Sequence, residues 1–379
     1  MASRRTKNAV KRAVTKQVKK SPIFAVFLAI VILAVVVGGY FYYNKYIKNQ
    51  PVTGDLTFHF MTLGNGHSGD SIYIKAGDND ILIDAGSDFD SVSAIKDYLD
   101  DYVTDGTLEY VIATHGDKDH IAGFANDDGN IFDYYKCGII IDFPLTSKKL
   151  TTDGGAISLY GRYVRNRDNE VTNDRATHYT ALECYNNQNG AKREYVLDSE
   201  NDIKMEILYN YYYDHLRDTS GTEENDYSVC VQFSHGTKKF LFTGDLEKKG
   251  EEYLVEYNDL SQVELYKAGH HGSASSSTER LIDIIMPKIC VVTCAIGDKY
   301  DFPRQEFINN VGKWTTKVYV TTMADERYTN GKEFTEFNGN VVVVSDSTGV
   351  SVKCQNDFLL KDSDWFKQYR TAPNSSWAS

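Results

Sequence analysis

The sequence predicts an α/β (α+β) fold, two strand-rich halves forming a two-sheet sandwich with helices outside, preceded by one membrane-spanning helix. Three observations carry this. Residues 23–43 hold no charged side chain. Short apolar runs bounded by Gly, Asn and Asp begin at residue 56, and a second series begins near residue 204. Between those runs lie stretches with apolar residues at helical spacing.

The membrane helix follows from the N-terminal fifty residues. Arg4, Arg5, Lys7, Lys11, Arg12, Lys16, Lys19 and Lys20 fall in the first twenty positions, with no acid among them. Ile23 to Tyr43 comes next, and a helix of that length, at about 1.5 Å per residue, is roughly 31 Å long. A bilayer core is about 30 Å thick. Tyr40, Phe41, Tyr42 and Tyr43 suit the far interface. A cleaved signal peptide fits less well, because the run exceeds the ~7–15 residues of such a segment and no small-x-small site follows. Basic charge ahead of the helix outweighs Lys45 and Lys48 behind it. Residues 1–20 are therefore expected to be a cytoplasmic tail, 21–43 a single-pass anchor in the cell membrane and 44–55 a tether, with the body extracellular.

Charge and cysteine use bound the partners. The chain has 41 Lys+Arg and 53 Asp+Glu, and the part beyond the tail keeps 33 against 53, a balance of −20. Net charge thus excludes tight nonspecific binding of duplex DNA and leaves only a local basic strip to do it. The six cysteines show no CxxC spacing, and Cys230, Cys290 and Cys294 lie in apolar runs. Buried thiols are expected, with one or two disulfides as the alternative in an oxidising exterior.

Past the tether, LTFHFMTL, SIYIKAG and DILIDAG read as strands, SVSAIKDYLDDYV as a helix over 91–103, and LEYVIAT and KCGIIIDF as buried strands. The second series is KMEILYNYY, YSVCVQFS, KKFLFTGD, VELYKAG, KICVVTCA and KVYVTTM, with helices near 246–257 and 278–286. NVVVVSDSTGVSVKC closes it as two strands. The domain is expected over 56–355. Residues 145–200 are polar and poor in pattern and read as an irregular insertion, and 356–379 as a C-terminal tail. His59, His178 and His215 are expected to be structural or surface residues, and His235 a hairpin residue. YNYYYDH and GRYVRNRD mix aromatics with charge, which suits insertion core and surface better than base stacking.

Chemistry concentrates in Thr114-His115-Gly116-Asp117-Lys118-Asp119-His120, directly after the strand LEYVIA. Four metal-competent side chains stand within six residues, on a loop expected to enter a helix at Asp119. So dense a carboxylate set needs a counter-charge, and a solvated acidic loop does not account for both histidines. KKFLFTGDLE brings Asp245 to the end of an apolar strand, and LYKAGHHGSASSS does the same for His270 and His271. DILIDAGSD adds Asp84, placed to hydrogen-bond a ligand histidine.

With these residues in view, THGDKDHIAG resembles the HxHxDH signature of the metallo-β-lactamase superfamily. Asp117 replaces its second His, as in the C-terminal domain of ComEC-type competence proteins. MTLGNGHSGDSIYI, DILIDAG, DYSVCVQF followed by FTGD, and KAGHHGS resemble that branch in the same order, over roughly 56–345. The resemblance implies a four-layer αββα sandwich holding two divalent ions, Zn²⁺ or Mn²⁺. His115, Asp117, Asp119, His120, Asp245 and His270 or His271 would be ligands, with Asp245 bridging. A metal-bound hydroxide, oriented by Asp119 and Asp245, would be the nucleophile. Asp84, Asp70 and Ser273 would support the ligands, and His67 and Tyr300 would face substrate. Phe302 stands where the branch carries a His before Pro303. A ComEC protein carries many membrane helices and this chain one, so the chain is not itself the DNA-conducting channel.

The implied activity is hydrolysis of a phosphodiester, with nucleic acid or a nucleotide as substrate. Hydrolysis of another ester, a lactone or a β-lactam would expect an apolar pocket. A noncatalytic DNA-binding or envelope-complex partner is the third reading, favoured by the acidic body and the lost His-Pro, and opposed by the intact ligand set. The sequence sets no oligomeric state.

Overall fold

The computed structural model describes residues 22–43 and 51–378, apart from 174–175, 218–223 and 325–333. The expected basic tail, and the tether as far as residue 50, lie outside the described residues. The chain divides into two units, Met1–Val52 and Thr53–Ser379. The first contains one helix, α1 (Pro22–Tyr43). Among the described residues no helix is long and apolar enough to cross a membrane. The expected single-pass anchor over 21–43 is thus not supported among the described residues, although the sequence of α1 carries no charge.

The second unit is built on two eight-stranded sheets. One contains β1 (Leu56–Phe60), β2 (Ile72–Ala76), β3 (Asn79–Ile83), β4 (Thr107–Ala113), β5 (Lys136–Asp142), β6 (Thr177–Thr180), β15 (Val341–Asp346) and β16 (Gly349–Lys353). Its order is β16-β15-β1-β2-β3-β4-β5-β6. The other contains β7 (Glu194–Asp198), β8 (Ile203–Ile207), β9 (Val231–His235), β10 (Lys238–Phe242), β11 (Leu265–Lys267), β12 (Ile289–Ile296), β13 (Val318–Ala324) and β14 (Phe334–Glu336), and runs in reverse numerical order from β14 to β7.

Apolar residues at alternate positions close the two sheets on one another. Phe58 of β1 meets Phe240 and Phe242 of β10 at ring-centroid distances of 4.7 and 5.3 Å, and Phe233 of β9 edge-on at 5.5 Å. Such aromatic contacts add about 0.5–1.5 kcal/mol each beyond the area they bury. A second core lies outside β11–β13. There α7 (Lys248–Tyr257), α8 (Glu279–Ile285) and α9 (Gln305–Val311) bury Leu254, Leu281, Ile285, Phe307 and Val311. On the outer face of the first sheet, α2 (Ser91–Leu99) buries Val92, Ile95 and Leu99. Helices on both outer faces give the α/β sandwich the sequence predicts.

Two expectations need correction. Residues 145–200 are not irregular. They form α5 (Leu159–Thr172), β6, α6 (Ala181–Tyr185) and β7, and so add an edge strand to each sheet. The buried face of α5 is partly polar, with Asn166 and Glu170 alongside Tyr163. Asn166 donates to the carbonyl of Phe124 and Glu170 accepts from the amide of Cys137. Hydrogen bonds thus replace the apolar stripe that sequence periodicity detects. Nor is 356–379 a loose tail. Leu360, Trp365, Phe366 and Trp377 are buried in the second core, and α10 (Asp364–Tyr369) carries two of them. None of the six cysteines forms a disulfide among the described residues, and five are buried.

Topology decides where chemistry gathers. β3, β4 and β5 run parallel, as do β10, β11 and β12. Their carboxyl ends therefore open toward one side, where loops carrying polar residues meet.

Candidate metal centre

Each candidate ligand leaves the carboxyl end of a strand. β4 runs into His115, and a short helix, α3 (Lys118–Ile121), then presents Asp119 and His120. β10 leads to Asp245, and β11 leads to the histidine pair. His270 and His271 both adopt left-handed backbone, at φ 45° and 52°. Each such residue costs about 1–3 kcal/mol. The turn separates the two rings, which lie 73° apart. His271 is buried and faces the cluster. His270 turns to Glu247, Asn225 and Ser275, with its Nε2 4.0 Å from Asp245.

Asp119, His120, Asp245 and His271 bring one ligand atom each to within 4.8 Å of one another. His120 Nε2 and His271 Nε2 stand 3.1 and 3.2 Å from the same Asp245 oxygen, and His271 Nε2 is 3.5 Å from Asp119. Neither nitrogen has a hydrogen-bonding partner, nor does the buried His115 Nε2. Close approach without hydrogen-bond alignment means that these atoms aim at a shared point rather than at each other. Around an ion with bonds of about 2.0–2.1 Å, the edge of a tetrahedron is about 3.3–3.4 Å. The residues fit a divalent ion.

The remote ring nitrogens are held. His120 Nδ1 meets Asp84 Oδ2 at 2.8 Å, and Asp84 also accepts from the Thr114 amide and hydroxyl at 2.8 and 2.7 Å. Asp84, itself left-handed at φ 58°, is wholly buried. His271 Nδ1 donates to the Thr293 carbonyl at 2.9 Å. Partners of this kind fix the tautomer and the ring plane. Behind them Lys267, fully buried, reaches Asp70 at 2.5 Å and Asp245 at 3.5 Å. Thr293 Oγ1 donates to the other oxygen of Asp70.

Charge in this cluster is strongly coupled. Burial works to lower the pKa of His271, but Asp245, Asp70 and Asp119 push it up to about 10. Burial opposes the charged form of His120 too, and Asp245 and Asp84 raise it well above the usual imidazole range. Burial would raise Asp245, yet His271, His120 and Lys267 hold it well below the carboxylate range. The set demands positive charge, supplied either by protons on two imidazoles or by a cation that replaces them.

The metallo-beta-lactamase superfamily model matches residues 64–126 and 169–294, the stretches that carry all of these ligands. The chain carries a metallo-beta-lactamase domain. Relatives of this domain include ComE operon protein 3 of Bacillus subtilis, 28% identical over 98 residues, which are 26% of this chain and 13% of that protein. Competence protein ComA of Neisseria gonorrhoeae is 29% identical over 103 residues, 27% of this chain and 15% of that protein. Recombination protein 2 of Haemophilus influenzae is 23% identical over 103 residues, 27% of this chain and 13% of that protein. The ComEC-type resemblance holds, and the matched stretch is a small part of each relative. Among solved structures, the fold protein YhfI from Bacillus subtilis covers 74% of this chain and 99% of its own at 11% identity, with a TM-score of 0.38.

In the metallo-beta-lactamase domain the expected site residues divide into three groups. Asp119, His120, Asp245 and His271 come together, with Asp84 and Asp70 behind them. His115 lies beside this set, its ring 4.1 Å from that of His120, and Asp117 lies 3.6 Å beyond its Nε2. His270 borders the set, its Nε2 4.0 Å from Asp245, and Ser273, His67 and Tyr300 lie outside it. Ser273 bonds to Ser275, and the His67 amide donates to Asn65. Tyr300 is exposed and stacks on Phe302. Phe302 is buried, its ring 6.1 Å from that of His271, where it forms an apolar wall. Sequence reasoning missed Lys267, Thr293 and Lys148. A lysine inside the apolar strand LYK was the available signal for the first. The other two gave none.

Proposed function

We propose that this chain is a membrane-anchored, metal-dependent phosphodiesterase whose substrate is nucleic acid or a nucleotide. The observation that carries this reading is the cleft beside the ligand set. It opens at Asp117, measures about 550 Å³, and combines Lys118, Lys148 and Lys149 and the hydroxyls of Ser147 and Thr151 with the acidic Asp153 and the side chains of Leu159 and Tyr160. Ammonium and hydroxyl groups suit a phosphate. Lys118 pairs with Asp88 and Lys149 with Asp153 on exposed surface, pairs worth roughly 0–1 kcal/mol that a phosphate readily replaces. Relatives named for competence and recombination favour nucleic acid within the phosphodiester class.

Asp119, His120, Asp245 and His271 would hold the first ion, and His115 with Asp117 would face a second. Two imidazoles suit Zn²⁺ and the carboxylates suit Mn²⁺. A divalent ion there would supply Lewis acidity toward a phosphoryl oxygen and would acidify a water. Asp84 and the Thr293 carbonyl orient the two imidazoles, and Lys267 balances Asp245 from below. Asp119, partly exposed, orients the attacking water, with Asp245 sharing that task. Phe302 excludes solvent from one side.

The charge-free sequence of α1 supports an anchor, and the basic residues ahead of it support a domain held outside the cell membrane. Extraction that needs detergent rather than salt would support the anchor, and release by salt would remove it.

The activity test uses the full chain in detergent, with Mn²⁺ or Zn²⁺, on a nitrophenyl phosphodiester and on single-stranded DNA. Turnover is expected, and Asp245→Ala should lower both ion content and rate, the rate on the order of 10³-fold. Turnover of a lactone or β-lactam with none of either phosphodiester would replace this reading. A folded, ion-loaded protein that binds DNA and cleaves nothing would establish the noncatalytic one.

A further inference from the structure

Asp117 is treated differently from the other carboxylates at the centre. One of its oxygens lies 3.6 Å from the buried Nε2 of His115, and the other is ion-paired with the ammonium of Lys148. Together, His115 and Asp117 are the residues that would complete a second ion position, yet neither belongs to the four-atom set. A cation from this chain already stands on the carboxylate that a second ion would use.

The position of Lys148 is built. Glu224, wholly buried, accepts from the Gly116 amide at 3.0 Å, from Thr146 Oγ1 at 2.6 Å, and from the Ser147 amide and hydroxyl at 2.8 and 2.7 Å. The Lys148 amide then donates to Thr146 Oγ1 at 3.0 Å. One carboxylate thus ties the ligand loop to the segment that carries the lysine. Gly116 permits the approach, since a Cβ there would stand 2.7 Å from Glu224 Oε1 and 3.1 Å from Lys148 Cγ. Lys148 also falls in 127–168, between the two stretches that match the superfamily.

We propose that Lys148 is a resident cation at the second ion position, so that a second divalent ion binds His115 and Asp117 only by displacing its ammonium. The inference rests on the metal-centre reading and not on any substrate. An ion at the four-ligand site displaces imidazole protons but no ammonium, because Lys267 stands behind the set, 2.5 Å from Asp70 and 3.5 Å from the Asp245 oxygen that the two imidazoles do not face. The two positions should therefore differ in affinity, and Lys148 should set the difference.

The test is a Mn²⁺ titration of the full chain in detergent after chelator treatment, followed by calorimetry and by the electron paramagnetic resonance signal that distinguishes single from paired Mn²⁺. Wild type should fill one site and take a second ion at least tenfold more weakly. Lys148→Met keeps the stem and removes the charge, and should tighten the second site tenfold or more while the first stays within threefold. Lys149→Met should change neither. Two equal sites in wild type, or an unchanged second site in Lys148→Met, would overturn the inference. Thermal unfolding checks that each variant is folded. Because ion binding is read without turnover, a protein that shows this linkage but cleaves no phosphodiester loses the functional reading and keeps this one.

Discussion

The two halves of the candidate centre are built by different means. Asp119, His120, Asp245 and His271 stand on strand ends and a helical turn. Their remote atoms are fixed by Asp84, Thr293 and Lys267, all buried. His115 and Asp117 lie on the same ligand loop, but Asp117 is partly exposed and answers to Lys148, held in place through Glu224. The first half is preorganised by the sandwich. The second depends on a loop outside the superfamily match. Ligand identity alone therefore does not set affinity, because the layer behind each ligand fixes its geometry and charge.

The sharpest way to break this contrast is at Asp84. Asp84→Asn keeps the shape and removes the charge behind His120, and should weaken the first ion by about 10–100-fold. Competition with a fluorescent chelator measures it. An unchanged affinity would show that Asp84 merely fills space.

Glu224 probes the other half. Glu224→Gln keeps an acceptor but loses the charge that receives four hydrogen bonds, and should lower stability by roughly 1–3 kcal/mol. Affinity at the four-ligand site should stay within threefold. Denaturant unfolding and the same chelator competition separate the two effects. A large loss of first-ion affinity would mean that the halves are one unit.

A third test lies away from both halves and calibrates them. His59, on β1, is wholly buried between Tyr98 and Thr57, and burial pushes its pKa down to about 3. Unfolded, it would titrate near its usual 6.5. Its contribution is present above that value and is lost as pH falls from about 6.5 toward 3, at up to about 1.4 kcal/mol per pH unit. His59→Gln should flatten the fall of Tm between pH 6.5 and 4. A slope equal to that of wild type would place the acid sensitivity elsewhere, with the carboxylates of the centre as the next candidates.

The central strands of both sheets, the helices α2, α7 and α8, the strand-end placement of His115, Asp245 and Asp84, and the helical turn entered at Asp119 were readable from local pattern, whereas β6, β7, β14 and α9 were not. An apolar run of strand length ending in a polar, metal-competent residue carries its message within a few positions. The polar inward face of α5 was not readable, because Asn166 and Glu170 are buried through hydrogen bonds to distant backbone. The C-terminal segment was missed for a related reason. Leu360, Trp365, Phe366 and Trp377 are too sparse to form a period, and they are buried because a core lies within reach.

The sequence by itself determined the chemical character of the centre: which residue types can ligate, their order along the chain, and the strand ends that carry them. Tertiary structure decided the rest. It chose His271 over His270 through a left-handed turn, set Lys267 beneath two carboxylates, and placed Lys148 on Asp117 across a gap of thirty-one residues. Those choices depend on chain segments meeting in space, where burial, charge and hydrogen-bond geometry act over a few ångströms regardless of separation along the chain.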